Sequence, residues 1–202
     1  MQTVMLDRDG VVIVNRKYNV KAPTELALLP GAAAAIARLN RLGIKVVLCT
    51  NQPEVDKGII THHQLDAIHH ALRRMLSREG AHLDLVLCCT DNFRSEWRKP
   101  APGMLFEGLR HFGAKAADTP FVGDQLSDLK AAWRARCPGI LVRTGLGRQT
   151  ESGPIPRYAR PQAVYDDLQA FVDAYCANRR AADRSRADAS RRAARRPVRA
   201  GG

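Results

Sequence analysis

Apolar and polar positions along this chain switch repeatedly between two periods. Val4-Met5-Leu6 is a short apolar run that ends in Asp7-Arg8-Asp9-Gly10. Such a run, closed by turn residues, reads as a strand buried on both faces of a parallel sheet. Four more runs of this kind follow: Lys45 to Thr50, Leu83 to Leu87, Thr119 to Val122 and Ile140 to Arg143. Between them the spacing is helical. Pro30-Gly31 opens an alanine-rich helix that reaches Leu42 and stops at Gly43. Thr61 caps a long helix with the apolar face Leu65, Ile68, Leu72, Met75 and Leu76, and Gly80 ends it. Pro102-Gly103 opens a short helix to Phe112, and Ser127 to Ala135 forms another. The last amphipathic helix is expected from Pro161 to Tyr175. Asn15 to Leu29 is polar and interrupted by Pro23, and the Gly/Pro-rich stretch Thr144 to Pro156 reads as loop. Repeated strand–helix alternation predicts the α/β class: a Rossmann-like parallel sheet with helices on both faces.

Composition changes this picture at one place. The net charge is +12 over 202 residues. From Cys176 onward there are nine arginines against Asp183 and Asp188, a net of +7. The remaining 23 basic and 18 acidic residues leave +5, so the part expected to fold is mildly basic. The chain therefore divides into a domain over 1–176 and a basic tail over 177–202, expected to be disordered and solvated. The tail's charge also suits weak contact with nucleic acid or an acidic membrane, but it has no aromatic residue for base stacking. No apolar run has the roughly 18 residues of a membrane span. Met-Gln-Thr-Val runs straight into a strand, without a basic-then-apolar leader. Five cysteines without framework spacing argue against a secreted disulfide scaffold. A cytoplasmic monomer is expected, without membrane contact.

The candidate chemistry gathers at strand ends. Asp7 and Asp9 follow the first strand, Thr50-Asn51 the second, and Asp124 and Asp128 the fourth, while Lys99 sits in the loop after the third. In a parallel sheet these ends share one edge, where such sheets bind ligands. Residues at alternate positions face the same way, so Asp7 and Asp9 converge. Carboxylates, a hydroxyl and a lysine are what phosphoryl transfer to a carboxylate needs: ligands for magnesium, and cations for the transferring group. Each piece also has a plainer reading, as a polar turn, a helix cap or a solvated charge pair.

Together the motifs resemble the haloacid dehalogenase superfamily. Asp7-x-Asp9-Gly10-Val11, Thr50 at a strand end, Lys99, and Gly123-Asp124-x-x-x-Asp128 follow its four motifs in order, over roughly residues 3–145. Leu-Asp-Arg-Asp-Gly, Thr-Asn-Gln, Arg-Lys-Pro-x-Pro-Gly-Met and Val-Gly-Asp are similar to its small-cap branch, which includes heptose bisphosphate and histidinol-phosphate phosphatases. The resemblance implies a minimal cap and a magnesium-dependent phosphatase acting on a small phosphorylated metabolite. It makes Asp7 the nucleophile and Asp9 the acid and base. Magnesium would be held by the Asp7 carboxylate, the Asp9 main-chain carbonyl and Asp124. Thr50 and the Asn51 amide would hold phosphate oxygens, Lys99 would offset charge, and Arg98 would reach the substrate. Asp128 is left between a capping or orienting role and one in the metal shell. A heptose bisphosphate is the leading substrate. Histidinol phosphate, another phosphomonoester, and a non-enzymatic binding protein on the same fold are the alternatives.

The chain departs from that branch in its loops. The usual zinc loop, Cys-x-His followed by Cys-x-Cys before Arg-Lys-Pro, is replaced by Cys88-Cys89-Thr90 and a stretch without the histidine or the later cysteines. Two adjacent cysteines do not complete a tetrahedral site, so no zinc is expected. Pro53-Glu54 replaces a Ser-Gly-like turn, and Val12-Ile13 a Thr-Ile-Asn segment. His62, His63, His69 and His70 crowd the second helix; His62 and His69 flank its apolar face, His63 and His70 point away, and a solvated helix face is expected rather than a metal site.

Overall fold

A computed structural model describes residues 2–16, 19–93, 95–179 and 181. Six parallel strands form one sheet: β1 (Thr3–Leu6), β2 (Lys45–Asn51), β3 (Leu85–Cys89), β4 (Phe121–Gly123), β5 (Gly139–Val142) and β6 (Ala163–Tyr165). Their order is β3-β2-β1-β4-β5-β6. The chain runs outward from β1 to β3, then returns to β1's other side as β4. The reversal point lies between β1 and β4, where Met5 pairs with Phe121 and Leu6 with Val122. A ligand crevice belongs at this position.

The helices are α1 (Ala32–Arg41), α2 (His62–Arg78), α3 (Gly103–Phe112), α4 (Leu126–Arg134), α5 (Gly147–Ser152) and α6, over 168–179. They cover both faces. On one face Val4, Leu6, Val46 and Leu48 pack with Ile36 and Leu39 of α1, Ile68 and Leu72 of α2, and Phe171 and Val172 of α6. On the other, Met5, Val47 and Cys49 pack with Met104 and Leu105 of α3 and Ala131 and Ala132 of α4. Alternate strand residues therefore divide between two cores, as the continuous apolar runs require. Thr61 closes a capping box with Gln64 at the start of α2.

Two expected segments differ. Ala163–Tyr165 is a sixth strand, where the spacing from Pro161 suggested helix. Its register with β5 pairs Leu141 with Val164, and its β-branched and aromatic residues suit an edge strand. The helix starts later because the Asp167 side chain accepts a hydrogen bond from the Ala170 N–H (2.8 Å) and caps it. The stretch Thr144 to Pro156 contains α5, so it is not all loop. Residues 177–179 continue α6, and 180 and 182–202 of the expected basic tail lie outside the described residues. No helix among the described residues is long and apolar enough to cross a membrane. No second domain covers the crevice among them either. Its rim is formed by the segments after β1 and β2, which Asn19 ties together by donating to Glu54 Oε1 (2.5 Å).

Candidate active site

β1 ends one residue before Asp7, β4 ends one residue before Asp124, and these two strands are neighbours. Thr50 lies at the end of β2. The three strand ends, with Lys99 from the loop after β3, border a cleft of about 920 Å³. Asp7, Asp9, Thr50, Asn51, Arg98, Lys99 and Asp128 all line it. Asp124 is fully buried and lies against Gly10 and Gly145. The sheet thus brings the sequence-predicted site residues to one edge.

Lys99 sits at the centre of a buried charge cluster. Its Nζ donates to Asp7 Oδ1 at 2.6 Å and pairs with Asp128 Oδ1 at 2.8 Å. Burial opposes the ammonium charge, but Asp128 and Asp7 outweigh it and hold its pKa above the ordinary lysine range. Asp128 also accepts the Gln125 N–H at 3.0 Å and so caps α4. Burial, followed by the neighbouring Asp7 carboxylate, pushes the pKa values of both Asp124 and Asp128 upward.

The arrangement fits a hard divalent cation. Asp7, Asp124 and Asp128 each offer a carboxylate oxygen, and these oxygens lie within 4.8 Å of one another. With Lys99 the four ionised groups carry a formal charge of −2, which burial makes costly to leave uncompensated. Asp124 Oδ2 accepts the Leu146 N–H at 2.8 Å, whereas its buried Oδ1 has no hydrogen-bond partner among the described residues. An all-oxygen donor set with an unsatisfied buried carboxylate oxygen is what magnesium takes.

The backbone around Asp124 leaves no spare room. A Cβ on Gly10, which has φ +84°, would lie 2.1 Å from Asp124 Oδ2. The start of the segment expected to be loop supports the same spot. Thr144 Oγ1 donates to the Gly10 carbonyl (2.6 Å), and Thr150 Oγ1 of α5 donates to the Asp124 carbonyl (2.8 Å). These two threonines were not among the sequence candidates. Their one signal was position, since Thr144 follows the fifth strand much as Asp124 follows the fourth.

Asp9 has a different environment. Arg8, fully buried, donates through Nε to Asp9 Oδ2 (3.0 Å) and through Nη2 to Oδ1 (3.2 Å). Gln52 Nε2 donates to Asp9 Oδ2 (3.1 Å) and to Thr50 Oγ1 (2.9 Å). Burial raises the Asp9 pKa more than the Arg8 charge lowers it. Arg8 Nη1 lies 3.4 Å from His69 Nε2. A guanidinium only donates, so His69 Nε2 is the acceptor and the ring is neutral. Burial and then the Arg8 charge push the His69 pKa down to about 4. His62, His63 and His70 are exposed, as expected for a solvated face, but His69 is turned inward onto Arg8. Asn51 clamps the Lys99 backbone: its Nδ2 donates to the Lys99 carbonyl and its Oδ1 accepts the Lys99 N–H, both at 3.0 Å. Arg98 Nη1 donates to the Asp91 carbonyl at 2.8 Å.

Comparison with known proteins agrees with this geometry. A HAD-hydrolase-like family model matches residues 96–171. D-glycero-beta-D-manno-heptose-1,7-bisphosphate 7-phosphatase of Bordetella bronchiseptica is 39% identical over 176 residues, 86% of this chain and 97% of its own. The Pseudomonas aeruginosa enzyme of the same name is 34% identical, over 85% of this chain and 96% of its own. A crystal structure of the D,D-heptose 1,7-bisphosphate phosphatase from B. bronchiseptica, complexed with magnesium and phosphate, superposes with a TM-score of 0.82. It is 38% identical, covering 88% of this chain and 99% of that one. The corresponding enzyme from Burkholderia thailandensis gives a TM-score of 0.68 at 34% identity, covering 87% and 99%. With its four motif segments converging on one buried carboxylate cluster, the chain belongs to the haloacid dehalogenase-like phosphatases, in the family of the heptose bisphosphate phosphatases.

Proposed function

We propose that the protein is a magnesium-dependent phosphatase that removes the 7-phosphate of D-glycero-D-manno-heptose 1,7-bisphosphate. The observation that carries this reading is the buried cluster of Asp7, Asp124, Asp128 and Lys99 beneath an open cleft, in a chain that aligns with 97% of a named heptose bisphosphate phosphatase.

In this reading an Asp7 carboxylate oxygen attacks phosphorus and the bond from phosphorus to the sugar oxygen breaks. Asp9 gives its proton to that leaving oxygen. Asp9 then takes a proton from water, the water oxygen attacks the aspartyl-phosphate, and Asp7 departs as a free carboxylate with release of phosphate. Thr50 and Asn51 hold phosphate oxygens, Arg98 reaches the rest of the substrate, and Lys99 offsets charge between Asp7 and the phosphoryl group. Asp7, Asp124 and the Asp9 carbonyl hold the metal, with Asp128 orienting Lys99 and capping α4. Magnesium, when bound, neutralises charge on the transferring phosphoryl group. The folded unit runs through α6, past the expected boundary at 176, and works in the cytoplasm as a monomer, with the rest of the basic tail as an accessory. Five free cysteines, four of them buried, support a reducing compartment.

The test is phosphate release from heptose 1,7-bisphosphate, histidinol phosphate and p-nitrophenyl phosphate, each with magnesium and with chelator. The heptose bisphosphate should have the highest kcat/KM, chelator should abolish turnover, and Asp7→Asn should remove it by several orders of magnitude. A tenth or more of wild-type rate in Asp7→Asn would take Asp7 out of the nucleophile role. Preference for histidinol phosphate would overturn the substrate.

A further inference from the structure

Asp9 is placed by groups that do not face the substrate. Arg8 does not line the active cleft, although it lies between the two aspartates that do. It is fully buried and meets both Asp9 oxygens. Its Nη2 also donates to Gln52 Oε1 at 2.7 Å, and Gln52 Nε2 returns to Asp9 Oδ2 at 3.1 Å. The three side chains thus close a ring in which each carboxylate oxygen is held. A ring of this kind restricts the carboxylate to one rotamer. Arg8 itself is a long side chain with much rotamer freedom to lose. Its remaining nitrogen is met from behind by His69 Nε2 of α2, at 3.4 Å. His69 also lines a second cleft of about 530 Å³, with His62, Asp66, His70, Arg73 and Trp97. It is therefore reachable without disturbing the active cleft.

We propose that His69, Arg8 and Gln52 are positioning residues that fix the direction of the Asp9 carboxylate for proton transfer, with His69 as the outer stop of the brace. The proposal rests on the reading of Asp9 as general acid. Proton transfer depends steeply on alignment, and a shift of about 1 Å costs up to a hundredfold. The effect should fall on leaving groups that need a proton. A sugar oxygen needs one, and a nitrophenolate does not.

The experiment compares kcat on heptose 1,7-bisphosphate with kcat on p-nitrophenyl phosphate for wild type, Asp9→Asn, His69→Leu and His69→Gln. Leucine cannot accept from Arg8, whereas glutamine can. His69→Leu should lower the ratio of the two kcat values about tenfold while KM for the heptose changes little. His69→Gln should restore the ratio. Asp9→Asn should lower it further, by roughly a hundredfold or more. If His69→Leu fails to fold, His69→Ala makes the same comparison. Equal losses on both substrates, an unchanged ratio, or a glutamine variant as poor as leucine would each overturn the brace while leaving Asp9 in place. An Asp9→Asn variant with no preference between leaving groups would instead remove the acid itself, and the brace with it.

Discussion

Lys99→Met tests the charge balance of the site. Lys99 is 4% exposed, and its Nζ contacts Asp7 Oδ1 at 2.6 Å and Asp128 Oδ1 at 2.8 Å. Methionine keeps most of the volume and removes the cation. Three carboxylates then face one another with no counter-charge. Removing one partner from a buried ion pair costs about 3–5 kcal/mol. A protein of this size loses roughly 2–4 °C of melting temperature per kcal/mol. The expected loss without metal is therefore about 6–20 °C. The remaining carboxylates escape part of this by taking up protons. Burial holds the folded-state pKa values of Asp124 and Asp128 above the unfolded value, so the variant in chelator should be less stable at pH 8 than at pH 6. Magnesium should reverse the deficit. The cluster carries formal −3 instead of −2, so the variant should bind the ion more tightly, and each tenfold gain in affinity is about 1.4 kcal/mol of stability at saturating ion. Melting followed by circular dichroism, in chelator and in excess magnesium, measures both effects, and turnover should be lost. A chelated variant within about 3 °C of wild type, or a magnesium shift no larger than that of wild type, would refute this account.

Three more expectations follow from other parts of the structure. Gly10→Ala should abolish turnover in a protein that still melts cooperatively, because its Cβ would fall 2.1 Å from Asp124 Oδ2 at a φ of +84°; activity assays and a melting curve check this together. His69 is half-buried and neutral, with its pKa lowered to about 4, so its contribution to stability is full above about pH 6.5 and is lost as pH falls from there through 4. His69→Gln should flatten that part of the pH–stability curve, as read by urea denaturation at several pH values. Removing residues 182–202 should leave turnover within about twofold, and salt-sensitive binding to nucleic acid, if the full-length chain shows any, should disappear with them.

The sequence revealed those parts of the site in which chemistry restricts residue type. Asp7, Asp9, Lys99 and Asp124 each end or follow a strand, and all reach one edge because parallel strands must. Arg8, Gln52 and His69 were less visible. Their roles depend on contacts over 44 and 61 residues of chain, and a histidine on a helix carries no local mark of an arginine behind it. Ala163–Tyr165 was misread because three apolar residues fit the first turn of a helix as well as an edge strand. Asp167, whose cap decides the matter, was present as a signal. α5 was hidden because it has only six residues, too few to show a periodic apolar face, and lies between Gly145 and Gly153 in a Gly/Pro-rich stretch.

The strand order has a consequence for how the chain is made. β1 is completed within the first ten residues, yet it occupies the middle of the sheet, and its β4 partner spans Phe121–Gly123. On a ribosome β1, which leads into Asp7, would emerge before the other five strands and lack its second neighbour until Phe121–Gly123 had been made. Contacts so distant in sequence are slow to form, and an unpaired apolar strand is prone to aggregation while it waits. The metal cluster cannot exist before β4 docks, because Asp124 arrives with it. If the cluster holds the ion as proposed, ion capture would be a late event in biogenesis, and magnesium occupancy would report that the two halves of the sheet have joined.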